Sequence, residues 1–214
     1  LWGADSNKTD LEKLSLLERQ CGGQLRDVVL RLYSTGSLHK RIEELLVNIQ
    51  SLDSRAQALI ALSALMSYAD LEQSSQFLIL SDLVGYSGDL EDLRASLAKN
   101  ELSSLIRLDT VDVVVRSPAL AQFILSRVYT LETLLGVVKR ALLKLDEFYV
   151  DDEEFLNLGR GLLKFSLYGR LVNAKHDNKL IEEFYDDCRV LSFAAKDPLF
   201  WVQRSICNMH VKQY

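Results

Sequence analysis

The chain has 214 residues, of which 48% are hydrophobic and 26% are charged, and these proportions are ordinary for a globular protein. That length is enough for one large domain or for two or three small ones. The net charge of −5 argues against a dedicated nucleic-acid-binding protein, since such proteins usually present a basic face. No apolar run approaches the roughly 20 residues needed to cross a bilayer, so no membrane partner is expected.

Three widely spaced cysteines, Cys21, Cys188 and Cys207, indicate free thiols rather than a disulfide framework or a metal site. They favour a reducing compartment, and we expect a cytoplasmic protein. The N-terminus shows neither a signal peptide nor an initiator methionine, which suggests a piece of a longer protein. The low counts of 2 prolines and 10 glycines favour a mostly helical protein with short loops.

Apolar residues recur at helical intervals along most of the chain. In the first half this spacing predicts helices over residues 5–20, 24–33, 39–50, 54–68, 73–84 and 89–105, and a break near Asn100 in the last of these stays open. The helix over 54–68 carries alanine and leucine on several sides, which predicts packing on more than one face. In the second half the spacing predicts helices over residues 130–149, 155–172, 179–193 and 199–210. The polar segment 173–178 is predicted as a loop, and Asp197-Pro198 should cap the last helix.

A dense run of β-branched residues in the middle of the chain predicts a β-strand, because branching at Cβ restricts χ1 in a helix. The run consists of Val111, Val113, Val114 and Val115. Residues 104–108 are the nearest pairing partner, with a turn at 109–110. Ser117 is a good N-cap for a helix that begins at Pro118. Helices, a ribbon and a closing helix over 54–128 predict a winged helix within a mainly α fold.

The sequence contains no complete catalytic or metal-binding motif. The P-loop signature G-x-x-x-x-G-K-[ST], in which backbone amides and a lysine wrap phosphates, does not occur. The three histidines lack metal-ligand spacing. Cys188 and Cys207 fall on apolar helix faces, as core thiols do. Residues 142–147 superficially resemble the acidic end of a Walker B strand, but the surrounding helical period favours the end of a helix.

Two places in the sequence could contact an anion. A predicted helix begins with Gln24-Leu25-Arg26 after Gly22-Gly23; glycine permits close backbone approach, and the amides of a helix start attract an anion. An ordinary interhelix turn with a surface arginine would give the same pattern. Arg116, at the end of the valine strand, is likewise either a phosphate contact or an ordinary exposed arginine.

The order of these parts resembles the region downstream of the nucleotide-binding core in STAND-class P-loop ATPases, relatives of AAA+ and NLR-type proteins. Residues 22–29 look like the start of the lid helix, and residues 111–123 look like the wing and the helix after it. Residues 197–203, DPLFWVQ, look like the opening helix of a tetratricopeptide-like array. The resemblance implies three parts: a helical lid over 1–52, a winged helix with a small β-ribbon over 53–129, and α-helical hairpins leading into a repeat-like array over 130–214.

This resemblance implies a regulatory and oligomerisation region that couples nucleotide state to assembly in a signalling or antiviral defence ATPase. It makes Gln24, Arg26 and Arg116 candidate nucleotide-sensing residues, and it implies no catalysis by this part alone. No cofactor is expected in the chain, whereas the parent protein would bind ATP or ADP. The implied partners are an upstream nucleotide-binding domain and other proteins or further copies.

The chain departs from the family in three respects. The P-loop core is absent, Gln24-Leu25 replaces the proline often found at the lid, and the histidine that NLR-type winged helices place near phosphates has no clear counterpart. Two other functions therefore stay open. One is a stand-alone helical scaffold for protein–protein interaction. The other is a DNA-binding winged helix, which ranks last because its recognition helix over 89–105 carries more acidic than basic residues.

Overall fold

The computed structural model describes residues 9, 12, 36–69, 71, 76–109, 111–148, 153–169, 171 and 175–212. The predicted helix over 24–33, with Gln24 and Arg26, lies outside the described residues. In chain order the elements are α1 (Gly36–Gln50), α2 (Ser54–Ala69), α3 (Phe77–Val84), α4 (Leu90–Lys99), β1 (Ile106–Leu108), β2 (Val113–Val115), α5 (Pro118–Val128), α6 (Leu131–Phe148), α7 (Glu153–Leu162), α8 (Phe165–Gly169), α9 (Lys175–Asp187), α10 (Ser192–Lys196) and α11 (Pro198–Lys212). Short 3₁₀ turns lie at Leu102–Ser104 and Cys188–Val190.

Helices with a small antiparallel ribbon make up the described part of the chain, which confirms the predicted fold class. β1 pairs with β2 in the register Ile106–Val115 and Leu108–Val113. Ser117 caps α5 as predicted, since its side-chain oxygen accepts a hydrogen bond from the backbone N–H of Leu120 at 3.2 Å.

α2 is the central helix, and every residue from Ala58 to Ser67 is buried. It packs most extensively against α5 and also contacts β2, α3 and α6. Alanines and serines between the leucines let neighbouring elements approach on several sides, so the predicted packing on more than one face is confirmed. Each fully buried leucine in such a helix stabilises the fold by roughly 1.5–3 kcal/mol relative to an exposed one.

The elements from α2 to β2 follow the order of a winged helix. Gln76, which immediately precedes α3, forms an antiparallel bridge with Asp112, and the backbone N–H of Phe77 donates to the carbonyl of Val111 at 2.6 Å. The order is therefore helix, bridge, helix, helix and ribbon, with the bridge placed beside the ribbon. The sequence pattern anticipated the ribbon but not this additional pairing at Gln76.

The helix predicted over 89–105 ends near Asn100, where the sequence leaves a break open. α4 ends at Lys99, and Glu101 adopts a left-handed conformation with φ of 58°, which stops helical propagation. The carbonyl of Asn100 accepts a hydrogen bond from Asn48 Nδ2 of α1 at 2.9 Å. The Asn48 amide of α1 thus satisfies a carbonyl at the C-terminal end of α4. If α4 continued, a backbone N–H of its next turn would bond this carbonyl instead.

The helix predicted over 155–172 is wrong, because the structure has two helices, α7 and α8, with a break between them. Two tyrosine hydroxyls donate hydrogen bonds to backbone carbonyls at the end of α7. Tyr168 donates to the carbonyl of Leu162, and Tyr185 donates to the carbonyl of Leu163 at 2.6 Å. These hydroxyl donors, one of them 22 residues away in sequence, replace the next intrahelical N–H groups, and the apolar spacing of the chain does not reveal them.

Two further predictions near the C-terminus are wrong. α9 begins at Lys175, inside the segment predicted as a loop over 173–178. The helix predicted over 179–193 is divided by the turn Cys188–Val190 and by the extended Leu191, after which α10 begins. The last helix, α11, extends two residues beyond the predicted end at 210.

The buried apolar residues of the described part form one cluster that runs from α1 to α11. α6 connects its two halves, because this helix packs against α2 and α3 on one side and against α7 and α9 on the other. The predicted domain limits at 52/53 and 129/130 therefore do not coincide with gaps in the core. The division into lid, winged helix and hairpins stays a prediction.

Two buried serines of α2 provide a matched test of the core. Ser63 Oγ donates to the carbonyl of Val113 at 2.6 Å, whereas Ser67 Oγ has no hydrogen-bond partner among the described residues. We expect Ser63→Ala to lower the free energy of unfolding by about 1–3 kcal/mol, because it leaves a buried carbonyl without this donor. Ser67→Ala should be neutral or stabilising in the same urea titration. Equal losses in both variants would contradict the role of the Ser63 bond.

Candidate functional site

Arg116 lies directly after β2 and is exposed. Its guanidinium donates to the carbonyl of Ser103 through Nε at 3.3 Å and through Nη2 at 3.0 Å, while its backbone N–H donates to the carbonyl of Leu105. The side chain therefore fastens the turn that precedes β1. This placement gives Arg116 a local structural role at the base of the ribbon, and it leaves nucleotide sensing as a prediction.

The third helix of the segment from α2 to α5, α4, carries an acidic face at its N-terminal end, formed by Asp89, Glu91 and Asp92. Asp89 and Asp92 form a reciprocal capping box at its start, in which each side chain accepts from the other residue's backbone N–H. Arg94 pairs with Glu91 one turn away. A DNA-reading helix needs positive charge towards the phosphates, so this face is unsuited to that task.

An apolar groove of about 450 Å³ lies between α3, the loop that follows it and the segment that leads into β2. Its lining includes two side chains that are largely exposed, Leu78 at 76% and Val111 at 56%. Ser81, Ser87 and Asp89 contribute the polar part of the wall. The arrangement offers van der Waals contact but no convergent set of catalytic groups.

A cavity of about 320 Å³ lies where α7 meets α10 and the start of α11. At its wall the Arg160 guanidinium contacts Asp197 at 2.5 Å and Asn157 at 3.2 Å. The other carboxylate oxygen of Asp197 accepts from the backbone N–H of Leu199 at 2.9 Å. Asp197 therefore caps α11, as predicted, and also pairs with Arg160, which the sequence pattern did not indicate.

Asp146 of α6 is a second carboxylate with a structural function. It accepts hydrogen bonds from the Ser192 hydroxyl at 2.6 Å, the Ser192 N–H at 2.9 Å and the Phe193 N–H at 3.1 Å, and so caps α10. Burial raises the pKa of Asp146, but these donors and the nearby Lys196 outweigh that effect and bring the pKa below its usual value. Asp146 lies in the segment that resembles a Walker B end, and the structure confirms the helical interpretation.

Cys188 and Cys207 are buried, as predicted for core thiols. Burial raises the pKa of Cys188 to about 12 and that of Cys207 to about 11, with a smaller contribution from Asp187 to the first and from Glu182 to the second. Neither thiol has the lowered pKa of a catalytic nucleophile. Within the residues that the structure describes, no group of three His, Cys, Asp or Glu side chains is placed to hold a metal ion.

The C-terminal helix α11 has two apolar faces. Phe200 and Cys207 face the core and are buried. The outward face carries a line of exposed apolar side chains, which we call the α11 stripe: Leu199 (55% exposed), Val202 (50%), Ile206 (36%) and Met209 (59%). The spacing was visible in the sequence, but only the packing reveals which of the two faces is covered.

Trp201 lies beside this stripe and is held in place. Its indole N–H donates to the carbonyl of Ala195 at 3.0 Å, and its ring contacts that of Phe200 with centroids 5.2 Å apart. The guanidinium groups of Arg189 and Arg204 lie 6.0 and 5.7 Å from the ring centroid. A rigid aromatic side chain next to exposed aliphatic ones is typical of a protein-binding surface.

Comparisons with protein-family models, with curated proteins and with solved structures gave no match to this chain. No described helix is both long and apolar enough to span a bilayer. Arg116 and the groove at Leu78 lie in the segment from α2 to α5, whereas the α11 stripe is the largest line of exposed apolar side chains on one described helix.

The thiols can be tested in a Cys21→Ser variant, which leaves Cys188 and Cys207. At pH 8, pKa values of about 12 and about 11 leave only about one thiolate in 10⁴ and one in 10³. We expect both thiols to react with a disulfide reagent about 100-fold or more slowly in the folded protein than in urea, measured by absorbance. A fast reaction in the native state would contradict their assignment to the core.

Two aspartates that form ion pairs test the junction at α11. Asp197 is 9% exposed, caps a helix and holds Arg160, whereas Asp187 forms a more exposed pair with Lys139. We expect Asp197→Ala to lower the free energy of unfolding by about 2 kcal/mol, because it removes a cap and a charge-assisted bond together. Asp187→Ala should cost about 0.5 kcal/mol or less. Thermal or urea unfolding that ranks the two variants equally would contradict the assignment.

Proposed function

We propose that this chain is a regulatory and assembly region of a STAND-like ATPase and is not catalytic by itself. The observation that carries the proposal is the winged-helix segment from α2 to α5 followed directly by packed helices on the same core. A signalling region of this kind needs a module that responds to nucleotide and a second module that presents a binding surface. The order of the described elements, α2 to α5 followed by α6 to α11, is consistent with these two modules.

The continuity of the core supports mechanical coupling between these modules. α6 packs on α2 and α3 of the winged-helix segment and on α9 beyond it. Its side chains also reach the C-terminal helices through polar contacts, since Lys139 pairs with Asp187 at 2.6 Å and Asp146 caps α10. Close-packed interiors transmit displacements rather than absorb them. A shift of the winged-helix segment should therefore move the surface of α11.

Within this proposal Arg116 couples the ribbon to a bound phosphate. Its fastening to Ser103 would hold the guanidinium in a fixed position at the exposed edge of the winged-helix segment. Gln24 and Arg26 are proposed as the corresponding residues of the lid. The proposed ligand is ATP or ADP on an upstream nucleotide-binding domain of the parent protein, and this chain contributes contacts to it rather than a complete site.

A helical scaffold for protein–protein interaction is the second candidate function. The α11 stripe and the rigid Trp201 favour it, because both belong to an exposed apolar surface and neither requires a nucleotide. The two candidate functions predict different sequences upstream of this chain in the parent gene. An upstream segment with G-x-x-x-x-G-K-[ST] between a strand and a helix, followed by a Walker B acid, would support the ATPase region, and its absence would favour the scaffold.

Arg116 provides the direct test in the full-length parent protein. We expect Arg116→Ala to weaken nucleotide binding about tenfold or to lower the ATPase rate to a similar extent, because one charge-assisted contact is lost. Arg107→Ala is the matched control, since Arg107 lies on β1, is also exposed and pairs with Asp109 at 3.0 Å. Nucleotide affinity is measured by titration calorimetry, and circular dichroism confirms folding. Unchanged affinity and rate in Arg116→Ala would refute the sensor assignment.

A further inference from the structure

The α11 stripe has the spacing of a coiled-coil seam. Its four residues follow one another at intervals of three, four and three, the alternation of a and d positions in a heptad. The side chains are 36–59% exposed, so they form a continuous apolar line along the helix. A helix whose residues repeat the same spacing could pack into this line with knobs in holes.

The stripe is not needed to hold α11 on the protein. The helix is anchored by its other face through Phe200 and Cys207, and the Gln203 side chain accepts a hydrogen bond from the backbone N–H of Phe165 at 2.9 Å. Arg204 bonds Asp186 of α9 through Nε at 3.2 Å and through Nη2 at 2.6 Å. α11 is therefore already positioned, and the stripe is a preformed surface.

The intervals between the stripe residues are the same whether α11 is followed from its N-terminus or from its C-terminus. Intervals of three, four and three are symmetric about residue 204, so a two-fold axis near that position would bring a second α11 alongside in the opposite direction. Leu199 would then face Met209 of the other copy, and Val202 would face Ile206. Such isologous contacts, in which one patch meets itself, are the basis of two-fold dimers.

The residues that flank the stripe are compatible with contact between identical surfaces. Trp201, Ser205 and Asn208 lie on one side, and Gln203 and His210 lie on the other. Contact between two copies places any flanking charge near its equivalent, and like charges close together are costly. Arg204 is the charged residue between Leu199 and Met209; it lies on the opposite face of the helix and pairs with Asp186.

We propose that two copies of this chain associate through antiparallel contact of their α11 stripes. The proposal deepens the assembly part of the proposed function by naming the partner, and it does not depend on nucleotide binding. Because the seam is only about three helical turns long, the buried area lies at the low end for specific interfaces, and we expect a dissociation constant on the order of 10 µM.

Sedimentation equilibrium of the whole chain tests the proposal. The protein concentration should run from 1 to 200 µM, about two decades around the expected dissociation constant. We expect a reversible monomer–dimer equilibrium. Val202→Glu should weaken it by about tenfold or more, because the charge would be buried against an apolar seam. Leu78→Glu is the matched control, an exposed leucine on α3 that should leave the equilibrium unchanged. Met209→Glu is the second variant in case Val202→Glu is not folded by circular dichroism.

Cysteine cross-linking tests the antiparallel geometry. In a Cys21→Ser background, Ser205→Cys places a thiol beside the proposed axis, and mild oxidation should join two copies. Ser103→Cys, in an exposed turn remote in sequence from α11, should not cross-link. Three outcomes would overturn the proposal: a monomer at all concentrations, a dimer insensitive to Val202→Glu, or no cross-link at Ser205. Each would mean that the stripe does not bind a second α11 and that its partner is a different helix. Failure of Arg116→Ala to affect nucleotide would leave this result untouched.

Discussion

Enclosure of α2 is the constraint on which the rest of the described fold depends. The helix has no polar face along its buried stretch from Ala58 to Ser67, so it can exist only when other elements surround it. α5, the ribbon, α3 and α6 supply that enclosure. The Ser63 hydroxyl adds a polar link to the Val113 carbonyl, which joins the helix to the strand whose valines pack on it. The placement of the helices and the ribbon between α3 and α6 follows from this arrangement around one buried helix.

The C-terminal half is organised by polar contacts that cross long distances in sequence. Tyr185 donates to the end of α7, Asp146 caps α10, and Asp197 joins Arg160 to the start of α11. Each contact satisfies groups at a helix terminus that have no intrahelical partner. Short helices such as α8 and α10 are marginal in isolation because helix nucleation is costly, so these contacts decide where they begin and end. They also bind this half to α6 and thereby to the winged-helix segment.

Several described side chains that could carry chemistry contribute to the fold instead. Burial raises the pKa values of Cys188 and Cys207, and the carboxylates of Asp146 and Asp197 cap helices. The acidic N-terminal end of α4 is unfavourable for DNA. What remains is an exposed apolar line on α11 and an arginine at the edge of the ribbon. An apolar line of that kind is typical of a surface that another protein covers.

The sequence by itself determined the fold class, the ribbon formed by the valine run and the segment before it, the Ser117 cap, the multi-face packing of α2 and the burial of both described thiols. These features depend on local propensity and on the period of apolar residues, which are properties of neighbouring positions. Only the tertiary structure decided the break after α7, the start of α9, the partners of Arg116 and Asp197, and which face of α11 stays uncovered. Those outcomes depend on donors, acceptors and packing surfaces contributed by residues far away in the chain, and no local pattern encodes them.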